Sequence, residues 1–154
     1  MNRFERMTSR AVVSGAILLA ACSGSYSNPT SPTTTDTVTA SIAGNWVIAS
    51  LVQGSEDKTS QFSGYTLSFA ETNAESGTVT ATRNNSTVSG TWSHSPAVTY
   101  YGSTSTESIV LNLGTATPFD KITGTWNVSS STDAKLSLAS PEVAENMQLV
   151  LTKQ

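Results

Sequence analysis

The sequence predicts an all-β fold in which eight or nine antiparallel strands run up and down around one sheet that curls shut into a barrel. Three observations carry this expectation. From Ile42 onward, apolar residues alternate with small polar ones at period two, in sets that recur about every dozen residues, the pattern of strands with one face in a core. Threonine, serine and valine are abundant while lysine, glutamate and arginine are sparse, a mix that favours pleated sheet over helix. All three tryptophans follow a glycine by two residues, in "IAGNW" (42–46), "VSGTW" (88–92) and "ITGTW" (122–126).

Taken in chain order, the first strand sets Trp46 and Ile48 against Asn45 and Val47, and the second sets Tyr65, Leu67 and Phe69 against Thr66, Ser68 and Ala70. Val79 and Ala81 mark a third strand, Val88 and Trp92 a fourth, and Ile109, Leu111 and Leu113 a fifth. Ile122, Trp126 and Val128 define a sixth, Leu136 and Leu138 a seventh, and Met147, Leu149 and Leu151 an eighth; a ninth is weaker, near residues 98–101. The breaks carry turn chemistry. "RNNS" (83–86) offers two asparagines that tolerate positive φ, as a two-residue hairpin turn requires. Short connections near Gly77, Asp133 and Pro141 also favour antiparallel neighbours. Only residues 53–64 and 93–106 are long enough for a lid, a short helix or a wide loop.

The repeated glycine has a physical reading. Positions two apart in a strand share a face, so each glycine sits beside its tryptophan. It leaves room for a ring from a neighbouring strand, or permits the coiling that closing a sheet demands. Ordinary core pairs in a two-sheet sandwich give the same spacing, and the sequence leaves both arrangements open.

The N-terminus reads as an address. Arg3, Arg6 and Arg10 precede an apolar run over 11–21 that ends in "LAAC" (19–22), the charged, apolar and small-residue order of a secretory signal. The run is about half the ~20 residues that span a bilayer as a helix. "LAAC" resembles the lipobox of bacterial lipoproteins, which implies that Cys22 is acylated with palmitate-class chains and becomes the first mature residue. Cys22 is the only cysteine, so it has no internal disulfide partner. Acyl chains contribute about 0.8 kcal/mol per buried methylene, and several of them hold firmly. Ser23 stands where an aspartate marks inner-membrane retention in enteric lipoproteins, so the resemblance implies the outer membrane and leaves open which of its sides the protein faces. The expected organisation is a signal peptide over 1–21, a polar linker over 22–40 and a barrel domain over 41–154. Within the linker, "DTV" (36–38) weakly resembles an O-glycosylation signal centred on Thr37; a plain spacer is the other reading.

Composition and motifs exclude several function classes. Beyond Cys22, five basic residues (Lys58, Arg83, Lys121, Lys135 and Lys153) face ten acidic ones, a net charge of −5, with no basic patch for nucleic acid. His94 is the only histidine and reads as a solvated residue after a strand; no "GxSxG" nucleophile motif occurs. The carboxylate pairs Glu56/Asp57, Glu71/Glu75 and Glu142/Glu145 read as solvated turn residues. No metal, cofactor or enzymatic activity is expected.

"GNW" (44–46), opening the first strand of an all-β exported chain, resembles the Gly-x-Trp of the lipocalins. With the lipobox, the polar linker, the later "GTW" motifs and a last strand "LVLTK" (149–153), the chain is similar to short lipocalin-like lipoproteins of the Bacteroidetes type. The resemblance implies that Gly44, Trp46 and Lys153 close one end of the barrel, with the Lys153 ammonium over the indole. The chain departs from longer lipocalins in lacking their Thr-Asp-Tyr motif, disulfide and flanking helix. The expectation is a membrane-tethered, monomeric binding module for a small apolar or amphipathic molecule, lined by Trp46, Tyr65, Phe69, Trp92, Leu111, Trp126 and Leu149, with Tyr100 and Tyr101 at the mouth. The alternative is an envelope protein with a filled barrel and a working outer surface.

Overall fold

A computed structural model describes residues 41–154 and the backbone of a two-residue strand, Thr33–Thr34. The predicted leader, Cys22 and Thr37 lie outside the described residues. The strands are β1 (Thr33–Thr34), β2 (Gly44–Gln53), β3 (Glu56–Asp57), β4 (Thr66–Asn73), β5 (Ser76–Arg83), β6 (Ser86–Ser95), β7 (Val98–Tyr100), β8 (Ser103–Thr104), β9 (Ser108–Asn112), β10 (Gly124–Ser131), β11 (Lys135–Ala139) and β12 (Met147–Lys153). Short 3-10 turns lie at Thr59–Phe62 and Phe119–Lys121.

Eight strands close a ring in the order β2, β4, β5, β6, β9, β10, β11, β12 and back to β2, every neighbour antiparallel. This is the up-and-down barrel expected from the sequence, of the lipocalin-like form that the Gly-x-Trp resemblance implies. Closing the sheet removes its open edges. The last seam runs from Met147 opposite Gln53 to Lys153 opposite Trp46. β3 adds to β2 outside the ring. The expected ninth strand exists as β7, but it belongs to a separate small sheet with β1 and β8.

The local chemistry explains the elements. The β5–β6 hairpin turns on Asn84 and Asn85 at φ of 47° and 65°, the backbone that two-residue hairpins favour. In β2 the register slips, so that Ile48 pairs with Leu151 and Ser50 with Val150. The bulge reverses the alternation, and Leu51 becomes buried where strict period two would have placed Ser50. Twenty apolar residues, from Ile42 to Leu151, form one buried core. Among the described residues no polar or charged one is fully buried.

The glycines divide into two kinds. Gly44 and Gly124 sit at φ of +125° and +144° at the first residues of β2 and β10, a conformation that L side chains rarely adopt. Each lets the chain fold under the barrel end, so that the indole Nε1 donates to the carbonyl four residues back: Trp46 to Ile42 at 2.7 Å and Trp126 to Ile122 at 2.9 Å. Since β2 and β10 run in opposite directions, these two matching plugs seal opposite ends. Gly90 differs, because a Cβ there would lie 2.0 Å from the Asn112 carbonyl oxygen. Its lack of a side chain permits close approach of β6 and β9. The ring of Trp92 is accommodated by Gly77, its cross-strand partner, where a Cβ would fall 2.7 Å from the indole nitrogen.

Candidate functional site

Six of the seven side chains expected to line a ligand site, Trp46, Phe69, Trp92, Leu111, Trp126 and Leu149, are buried together in the core. Tyr65 packs against it while remaining partly exposed. The three indole N–H groups are all satisfied within the fold, that of Trp92 by the Ala70 carbonyl at 3.3 Å. Phe69 meets Trp92 edge to face, with centroids 6.4 Å apart. At the closing end, the Lys153 ammonium stands 5.3 Å from the Trp46 ring centroid. Its Cε occupies the space that a Gly44 side chain would need. Lys153 thus meets both Gly44 and Trp46 where the last strand joins the first.

Two surface grooves flank the end of the barrel where β4 and β10 begin. The larger opens where the wall is interrupted. β2 and β4 pair over only three residues, Gly44 to Trp46 opposite Phe69 to Leu67, and then part. The segment between them holds β3 and the Thr59–Phe62 turn. Thr59 fixes that segment: its hydroxyl accepts from the Leu51 N–H at 2.9 Å, and its own N–H donates to Asp57 Oδ1 at 2.8 Å. The Thr59 hydroxyl acting on the Asp57 carboxylate, and after it the Thr59 N–H, hold the Asp57 carboxyl below its usual range; the hydrogen bond and charge of Lys58 do the same for Glu56.

The groove left between this segment and the strands measures ≈ 540 Å³ and is lined by Val47, Ile48, Thr59, Phe62, Tyr65 and Gln154 with neighbouring serines and threonine. None of its lining side chains is charged. Phe62 and Tyr65 meet Phe119 edge to face at 6.1 and 5.1 Å, closing the barrel behind the groove. The Arg83 guanidinium lies 4.2 Å from the outer Tyr65 ring centroid.

The second groove, ≈ 390 Å³, lies at the mouth beside Trp126 and Met147 and carries Asp120, Lys121, Glu142 and Glu145 on its rim. Lys121 pairs with Asp120 at 2.9 Å. Glu142 and Glu145 therefore do share a groove, whereas Glu71 accepts from the Ser41 hydroxyl at 2.8 Å. Among the described residues no group of three or more His, Cys, Asp or Glu side chains is placed to hold a metal ion.

Two placements differ from the sequence expectation. His94 is not a solvated loop residue: it lies in β6, largely buried, with Nε2 2.8 Å from Glu107 Oε1. Tyr100 and Tyr101 are at the tip of the β7–β8 hairpin, and neither lines either groove. Sequence reasoning missed Phe62 and Phe119, which interrupt polar loops as single aromatics ("SQFSG", "TPFD") and carry no periodic signal. No protein-family model, no curated protein and no solved structure matches the chain.

Proposed function

We propose that the protein is a lipid-anchored, lipocalin-like lipoprotein of the bacterial outer membrane that binds a small, uncharged amphipathic molecule. The groove beside Tyr65 is the binding site. The observation that carries this reading is a groove of ≈ 540 Å³ with no charged side chain in its lining, opening where β2 and β4 part. Its volume falls in the range of small-molecule sites, and its mixture of apolar side chains with a few hydroxyls and an amide suits an apolar body with a neutral polar head. The buried indoles act as the wall behind the site.

Titration of the mature chain with the neutral probe N-phenyl-1-naphthylamine tests the site. Saturable fluorescence enhancement is expected, abolished by Ser60→Trp, which fills the groove from its exposed rim, and unaffected by a tryptophan at Ser68 on the outer face. Equal binding by both variants would refute the assignment. The anchor is tested separately: Cys22→Ser should move the protein from the membrane to the soluble fraction.

A second reading, an interaction lipoprotein with a filled barrel, is favoured by one observation: all three indole N–H groups are already bonded within the fold. Absence of any saturable probe binding would select it.

A further inference from the structure

The hairpin that leaves the ring between β6 and β9 has no role in the barrel. Its strands pair Thr99 with Thr104 and Tyr100 with Ser103, leaving Tyr101 and Gly102 as a two-residue tip at φ of 48° and 81°. A bulky aromatic residue rarely adopts positive φ. Tyr101 is 81% exposed and Tyr100 52% exposed, their rings stacked edge to face 4.3 Å apart. The two-residue turn demands positive φ, yet it places a tyrosine there, and both rings stand exposed instead of packing into the core.

We propose that this hairpin tip docks on the lipid surface to which the chain is tethered, with Tyr100 and Tyr101 in the headgroup region. The proposal rests on the anchoring of Cys22. Three observations name the bilayer as the occupant. β1 pairs with β7, Thr33 opposite Thr99 and Thr34 opposite Val98, so the incoming chain joins the fold on this hairpin. Only ten residues lie between Cys22 and Thr33; the eleven steps of the chain, at about 3.3–3.6 Å each, reach at most ~40 Å, which keeps the hairpin close to the anchor. Residues 95–106 carry no charged side chain, and neither do residues 22–35. Insertion of the hairpin tip itself therefore desolvates no ion, while tyrosine suits the interface because its ring is apolar and its hydroxyl stays wet.

The acylated protein purified from membranes, with its N-terminal mass measured, is reconstituted into phosphatidylethanolamine/phosphatidylglycerol vesicles containing brominated lipid. A fluorophore is placed at Ser103→Cys or, in a second sample, at Val143→Cys, which lies in the β11–β12 connection at the opposite end of the barrel. Quenching at position 103 should exceed that at 143 by at least about twofold, as interfacial contact requires. Adding Tyr100→Ser and Tyr101→Asn should remove the excess; asparagine tolerates the backbone of the tip, so the hairpin persists. Equal quenching at both positions in an acylated sample overturns the proposal while leaving the lipoprotein reading intact. A mass without acyl chains defeats both. Energy transfer between labels on separate chains that survives dilution in excess lipid would assign the tip to a second copy instead.

Discussion

Gly90→Ala separates a coiled barrel from a flat sheet by the sign of its effect. In an ordinary strand interior, alanine is more stable than glycine by about 0.5–1 kcal/mol. Here the added Cβ would sit 2.0 Å from the Asn112 carbonyl oxygen and 2.9 Å from its carbon. Both are backbone atoms of the neighbouring strand, so β6 and β9 must separate by about 1 Å, enough to stretch a 2.9 Å ladder hydrogen bond out of range. Overpacking of about 1–3 kcal/mol and one weakened hydrogen bond of about 1 kcal/mol give a loss of roughly 2–4 kcal/mol. In a domain of this size Tm falls by roughly 10–20 °C. Urea unfolding followed by tryptophan fluorescence measures the change. An unchanged or raised midpoint would refute the close approach of β6 and β9, and with it the role assigned to this glycine in curling the sheet.

Other perturbations test other parts of the fold. Gly124→Ala meets open space but keeps φ at +144°, so it should cost about 1–3 kcal/mol as backbone strain without loosening the β6–β9 ladder; faster amide exchange at Val110 in this variant would contradict that. Lys153→Met, which retains the stem packed on Gly44, should lose only the cation–π contribution of about 0.5–1 kcal/mol, and Lys153→Ala more; equal losses in urea titrations would remove the ammonium from the account. Because the folded pKa values of Glu56 and Asp57 are lowered, their contribution is present above the ordinary carboxylate range and is lost as pH falls through the folded values. An NMR titration should find the Asp57 midpoint below that of a model peptide and returned toward it by Thr59→Val; an unchanged midpoint in the variant would break the assigned cause.

Much of the barrel was legible because its strands expose one face and bury the other. Period two located each ring strand, and the asparagine pair located a turn whose backbone only a few residue types accept. What the alternation could not reveal was where it is interrupted. The bulge in β2 transfers burial from Ser50 to Leu51, and residues 113–123, bounded by the apolar Leu113 and Ile122, form a loop with a 3-10 turn held by Thr123, whose hydroxyl accepts from Leu113 N–H at 3.0 Å and donates to the Gly114 carbonyl. The repeated Gly-x-Trp spacing was visible, yet it covers two mechanisms: Gly44 and Gly124 supply a backbone conformation, whereas Gly90 supplies space. Only the neighbouring strand distinguishes them. The groove was illegible for a related reason, since it is made by the absence of pairing between β2 and β4 beyond Trp46 and Leu67, and no residue type marks a missing partner.

Closure of the ring is the claim on which the site, the plugs and the hairpin arm all depend, and native-state amide exchange along β12 tests it most directly. If the β2–β12 seam is formed, hydrogen-bonded amides of β12 should exchange only through global unfolding, with the same free energy as those of β5 in the middle of the sheet. Exchange several kcal/mol easier along β2 and β12 than along β5 would mean that the sheet has two open edges and that no barrel exists.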